Sequence, residues 1–126
     1  MRHAASEVLA RYFLVWLAHD VTAIESLFST HALYVIRNKH LTLIGVPQIQ
    51  AYWRRNSKRQ QNLRLEWFSL PGEDPVAKAR FRADFFDSEE RESQLIVGTL
   101  RIRLDAQGRI ERLSESYQKL TYEQVS

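Results

Sequence analysis

The second half of the chain limits the fold more than any other feature. Four strand-like runs, Leu63–Leu70, Val76–Phe86, Gln94–Leu104 and Ile110–Leu120, follow one another with only short connections. The connections are turn-formers: Pro71-Gly72 through Pro75, Asp87 through Glu92, and Asp105-Ala106-Gln107-Gly108. A parallel pair needs a crossover of a dozen or more residues, so runs this closely spaced pair as an antiparallel meander. Everything helical must come earlier, and helices from one side of the sequence can cover only one face of the sheet. The expected class is therefore α+β, with three N-terminal helices packed on the concave face of a strongly curved, mainly antiparallel sheet.

The helical half agrees. Val8, Leu9, Tyr12, Phe13, Trp16 and Leu17 recur in adjacent pairs every four residues, which puts them on one broad stripe of a first helix. His19-Asp20 ends it, and Ile24, Leu27 and Phe28 belong to a second, short helix. Thr30 to Arg37 and Leu41 to Ile44 read as two strands around the turn Asn38-Lys39-His40. Gly45 breaks the chain, and Pro47 suits the first turn of a third helix that buries Ile49, Tyr52 and Trp53.

At 126 residues and 44% hydrophobic content the chain fits a single domain, 1–126, with enough buried surface for a core. Zero cysteines remove disulfides, thiolate nucleophiles and zinc–cysteine sites together. No apolar run approaches the roughly 20 residues of a membrane span, and Glu7 and Arg11 interrupt the N-terminal helix as no signal peptide would. A cytoplasmic location without membrane association is expected. The charge of +3 is mild but unevenly spread. Between Glu25 and Glu66 there are seven Lys and Arg residues and no acid, while Glu73 to Glu92 holds seven acids.

Three local patterns resemble the nuclear transport factor 2-like, or SnoaL-like, superfamily. One is the long helix ending at His19-Asp20 ahead of Ile24-x-x-Leu27-Phe28 and a strand. Another is Gly45-x-x-x-Ile49-x-x-Tyr52-Trp53. The last is Asp105-x-x-Gly108-Arg109-Ile110 before a final strand bearing Tyr117. The resemblance covers nearly the whole chain. It implies a cone-shaped α+β barrel enclosing a pocket, and a homodimer. It implies no particular reaction, because enzymes, carriers and scaffolds share that fold.

Two catalytic branches can be laid on the chain residue by residue. The ketosteroid isomerase branch needs a carboxylate base, together with a tyrosine and a protonated acid that hold the developing enolate oxygen. Tyr12 stands at the tyrosine position, but Ile36 and Leu100 stand at the other two, so that chemistry is lost. The limonene epoxide hydrolase branch fits better. Arg82-Ala83-Asp84 resembles its Arg-x-Asp, Glu115 falls at the partner carboxylate, and Tyr34 at the water-positioning tyrosine. Two carboxylates around one guanidinium can hold different protonation states, as acid–base catalysis requires. Its water-holding asparagine position carries Ile36, with Asn38 the nearest substitute.

Strand parity opposes the hydrolase. Ala77, Ala79, Phe81, Ala83 and Phe85 share one face; Lys78, Arg80, Arg82, Asp84 and Phe86 share the other. Hydrophobicity turns the Ala/Phe face inward and leaves Arg82 and Asp84 as a solvated pair, whereas the hydrolase register needs the reverse, with Ala and Phe as a dimer interface.

Other candidates are simpler. Glu115 and Tyr117 share a face with the core-directed Leu113, so a pocket-lining glutamate of raised pKa is available as a general base. His3, His19, His31 and His40 lack metal-ligand spacing, and four glycines form no phosphate loop, so neither metal nor cofactor is expected. Arg54, Arg55, Lys58 and Arg59 could meet phosphates, but Tyr52 and Trp53 are needed in the core and cannot stack on bases. Nucleic acid is not the expected partner, and the acidic turn Asp87–Glu92 is available to face this block. The leading expectation is a small hydrophobic or cyclic organic ligand in an aromatic-lined pocket, with Tyr12, Trp16, Tyr34 and Trp67 on one side. Phe86, Leu100, Leu113 and Tyr117 complete the expected wall. The alternatives are an epoxide-hydrolase-like enzyme using Arg82, Asp84 and Glu115, and a non-catalytic dimeric interaction module.

Overall fold

The computed structural model describes residues 4–121. Helix α1 spans Ala5–Ala18 and the short α2 spans Ile24–Leu27; a third helix, α3, spans Val46–Arg59. Strands β1 (Phe28–Ile36) and β2 (Leu41–Ile44) lie between α2 and α3, joined by a 3-10 turn at Arg37–Lys39. After α3 come β3 (Gln60–Leu70), β4 (Val76–Asp87), β5 (Glu92–Leu104) and β6 (Ile110–Leu120). The sheet has six strands in the order β2-β1-β6-β5-β4-β3. Every neighbouring pair is antiparallel except β1 and β6, which run parallel and join the two halves of the sequence. The class is α+β, and helices occupy one face of the sheet.

Among the described residues no helix is long and apolar enough to cross a membrane. Strand β3 starts at Gln60, straight out of α3, three residues before its apolar pattern begins. Those first residues are held by pairing with Asp87 and Phe86 of β4, with an irregular register before Arg64. Pairing across the sheet, not side-chain alternation, decides where this strand starts.

The inner face of the sheet explains how the helices dock. Ala77, Ala79 and Ala83 of β4 are buried, and their small side chains let α1 approach closely. Phe13 of α1 stacks on Trp67 at 4.9 Å between ring centroids, and Trp16 meets Phe81 edge-on at 5.4 Å. Such ring pairs contribute roughly 1 kcal/mol each beyond their buried area. One position has no side chain by necessity. Gly98 of β5 lies in register with Phe81 and Tyr117, and a Cβ there would stand 2.3 Å from the Ser116 carbonyl oxygen and 2.9 Å from the Phe81 ring.

Helix ends follow from local chemistry. His19 adopts a left-handed conformation (φ 49°) and donates its backbone N–H to Trp16 O, closing α1. Gly45 (φ 86°) turns the chain into α3, where Pro47 costs no hydrogen bond in the first turn.

Candidate functional site

Where α1 and α3 reach the end of the inner face, a cavity of about 80 Å³ opens to solvent. One side is built of rings: Trp16 from α1, Tyr34 from β1, Tyr52 and Trp53 from α3, and Tyr117 from β6. Much of the remaining lining is polar. Asn56, Arg59, Gln60, Asp87 and Gln94 border it, with Lys39 and Lys119 at the mouth. It is therefore amphipathic, not the mainly apolar pocket that the sequence suggests. It is also small, since pockets for drug-sized ligands run to roughly 300–1,000 Å³.

Glu115 is the unusual wall residue. It lies on β6 in register with Leu100 of β5 and Ile36 of β1, both fully buried, and is itself 5% exposed. Burial pushes its carboxyl group up to about 7, and the attraction of Lys39 offsets only part of the effect. Near neutral pH this side chain can thus both give and take a proton.

Next to it lies a phenol pair. Tyr34 and Tyr12 share a hydrogen bond of 2.8 Å between their hydroxyl oxygens. Burial pushes both hydroxyls well above their ordinary value, and the nearby Glu115 adds to this. Tyr52 is shifted the same way, first by burial and then by Glu115. These phenols stay protonated and act as hydrogen-bond donors. Gln60 ties two further elements together, its Oε1 accepting from Trp16 Nε1 at 3.0 Å and lying 3.1 Å from His19 Nε2. Among the described residues Trp53 Nε1 has no hydrogen-bond acceptor; it is buried amid the rings of Tyr12, Trp16 and Tyr52.

The polar rim is fixed by Asp87, only 1% exposed. Its Oδ2 accepts from Arg59 Nε at 2.7 Å and Gln94 Nε2 at 3.0 Å; its Oδ1 accepts from the backbone N–H groups of Glu89 and Glu90. Burial alone would raise this carboxyl. The Glu90 N–H, the Arg59 guanidinium and the Glu89 N–H together hold it below its ordinary value. Arg59 also pairs with Glu89 and Glu90, and Arg55 with Glu89. The basic end of α3 thus faces the acidic β4–β5 turn inside one chain, which leaves less free charge for phosphates.

The sequence-derived site residues separate into three groups. Trp16, Tyr34, Glu115 and Tyr117 meet on the cavity wall. Tyr12, Leu100 and Leu113 are fully buried in the core behind it, and Trp67 packs against Phe13. Arg82, Asp84 and Phe86 lie on the outer face, opposite Glu115. Arg82 is exposed and Phe86 is 37% exposed, whereas their neighbours Phe81, Ala83 and Phe85 are buried. The expected Arg82–Asp84–Glu115 constellation therefore does not assemble, because period-two alternation places its members on both sides of one sheet. Phe86 leaves the expected wall for the same reason, and Phe85 takes its place.

Lys39, Asn56, Arg59, Asp87 and Gln94 join the site without being expected there. Asp87 and Gln94 carry a sequence signal, each as the polar residue that continues an inward-facing row, of β4 and β5 respectively. No three His, Asp or Glu side chains converge as metal ligands among the described residues.

No family model and no curated protein matches the sequence. Solved structures do match. A protein from Shewanella denitrificans named for the SnoaL-like polyketide cyclases shares 11% identity over 90% of each chain, with a TM-score of 0.81. The epoxide hydrolase/cyclase-like enzyme SalBIII, involved in pyran ring formation in the polyether salinomycin, shares 19% over 90% of each chain, with a TM-score of 0.78. A nuclear transport factor 2-like protein of unknown function from Exiguobacterium shares 20% over 88% of this chain and 98% of its own, with a TM-score of 0.74. The chain has the nuclear transport factor 2-like fold.

Proposed function

We propose that this protein binds a small oxygen-bearing organic ligand in the cavity and transfers a proton to or from it through Glu115. The observation that carries this reading is a buried carboxyl group, pushed up to about 7, on the wall of an aromatic cavity. A general acid or base works best when its pKa lies near the operating pH, which the burial of Glu115 supplies. Tyr34 supports the same chemistry. Its hydroxyl, backed by Tyr12, can donate to an oxygen on which negative charge develops. One fold neighbour is described as an epoxide hydrolase/cyclase-like enzyme, so a cone of this kind can house a reaction. Arg82 and Asp84 take no part.

The direct test is a carbon-13 titration of the glutamate carboxyl groups in the whole chain, with Glu115→Gln to assign the signal. A resonance that titrates near 7 and vanishes in the variant supports the reading. Titration in the ordinary glutamate range, near 4.5, overturns it. The paired activity assay is deuterium uptake from D2O by an enolisable cyclic ketone, where the wild-type chain should exceed Glu115→Gln by roughly a hundredfold or more. A homodimer in the cytoplasm belongs to the same proposal. Phe68, 65% exposed on the outer face, is the apolar residue a second copy would cover, and sedimentation velocity reads that directly.

A further inference from the structure

Two cations stand at the mouth of the cavity with no salt bridge to a described residue. Lys39 and Lys119 both border it, and neither forms an ion pair with a described residue. Arg59, on the same rim, differs because Asp87, Glu89 and Glu90 all surround it. Lys39 is also held in place. Tyr117 N–H donates to Asn38 Oδ1 at 2.9 Å, tying the turn to β6, and Lys39 Nζ lies 5.7 Å from the centre of the Tyr117 ring. The ammonium group therefore sits where the aromatic wall meets solvent. Lys119 reaches the same mouth from β6, two residues beyond Tyr117 on the inward-facing row.

We propose that the ligand of this site is a small organic anion whose charged end sits between Lys39 and Lys119 and whose apolar end lies against Trp16 and Tyr52. This rests on the reading of Glu115 as the acid–base group of the same cavity, and adds the ligand's charge. A cation is disfavoured by both lysines. A neutral compound leaves Lys119 without a counter-charge and Lys39 with only the Glu115 carboxyl. At about 80 Å³ the interior is smaller than the roughly 150 Å³ void that encloses benzene, so the buried part of the ligand is short and the rest lies in the mouth. A simple carboxylate with a few carbons or one ring meets these limits.

Binding of an anion at the lysines is coupled to Glu115. The groups facing that carboxyl are the phenols of Tyr12, Tyr34 and Tyr52, with Lys39 from the turn. On the shared rim Arg59 and Asp87 neutralise each other, leaving Tyr117 and Lys119. The phenols are protonated throughout the neutral range, so among these acids Glu115 is the one that titrates there. A ligand anion at the mouth disfavours the ionised form of Glu115, and by linkage the ionised form disfavours the ligand. Affinity is highest when Glu115 is protonated and falls as pH rises through about 7.

The experiment uses the whole chain and two acid–amide pairs, crotonate with crotonamide and benzoate with benzamide, followed by NMR titration at pH 6 and pH 8. At least one acid should bind roughly tenfold more tightly than its own amide at pH 6, and less tightly at pH 8. In the double variant Lys39→Gln, Lys119→Gln that preference should disappear, while amide binding and the folded spectrum stay as they were. Equal affinity for acid and amide overturns the proposal, as does an acid preference that survives the double variant. So does the absence of acid binding at about 10 mM, weaker than any functional site. The carboxyl titration of Glu115 in the free protein is read separately. If it remains near 7 while acid preference is absent, the anion proposal fails alone; if it falls near 4.5, the acid–base reading fails first.

Discussion

Replacing Glu115 with glutamine should change how stability depends on pH, in a direction opposite to that of most carboxylates. Its ordinary value is 4.5 and burial raises it to about 7. Between these limits the folded chain holds a proton that the unfolded chain has released. Stability therefore falls as pH rises through that window and stays low above it. At about 1.4 kcal/mol per pH unit the interval amounts to about 3 kcal/mol. Glutamine cannot ionise, so the variant loses nothing for this reason. The assay is urea denaturation of both proteins at steps from pH 4.5 to pH 8, comparing their difference in unfolding free energy. That difference should shift by about 3 kcal/mol in favour of the variant across the range, or roughly 10 °C in Tm. Using the difference cancels carboxylates common to both chains, including Asp87 and Asp105, whose values are lowered. Parallel curves would refute the argument, since they would mean that Glu115 ionises as readily in the folded chain as in the unfolded one.

Three further substitutions probe other parts of the structure. Gly98→Ala puts a methyl group against the Ser116 carbonyl and the Phe81 ring, so it should cost about 3 kcal/mol or more by denaturant titration. Asp87→Ala removes the partner of Arg59 and Gln94 and should cost about 2–3 kcal/mol at pH 7. This loss should shrink as pH falls below 3.8, because a lowered carboxylate stabilises only while it is ionised. Arg82→Ala should leave stability within about 0.5 kcal/mol and ketone deuteration unchanged, since its side chain lies on the outer face.

Much of the architecture is legible because each strand declares its own period. The alternation of Ala and Phe with charged residues along β4 is enough to turn Ala79 and Ala83 inward and Arg82 outward. The same rule separates Asp84 from Glu115, which the epoxide hydrolase likeness brings together. Local resemblance places the right residue types at the right spacing, and parity decides which way they face. The rim is harder to read. Lys39 reaches the site through a hydrogen bond between Asn38 and Tyr117, which are 79 residues apart, and no local pattern encodes such a link. Asn56 and Arg59 read as the solvated end of a helix. They become wall residues because β3 leaves α3 without a loop and β4 returns beside it, bringing Asp87 to Arg59. The polar character of the cavity arises from these long-range pairings.

The parallel seam between β1 and β6 also has a consequence for how the chain acquires its site during synthesis. Tyr34 and Glu115 lie on the two sides of that seam, where Tyr34 pairs with Leu113 and Ile36 with Glu115. All three helices and the first five strands precede β6 along the chain. Pairings this distant in sequence form slowly, because closing the long intervening loop costs entropy before any contact is gained. As the chain leaves the ribosome, the aromatic stripe of α1 can rest on β3 and β4, but the proton-carrying wall has not yet been made. Strand β6 lies between β1 and β5, so the sheet and the Glu115 carboxyl on its inner face are complete only once this strand is in place. Until β6 is in place the sheet is two separate pieces, β2-β1 and β5-β4-β3, and neither carries Glu115.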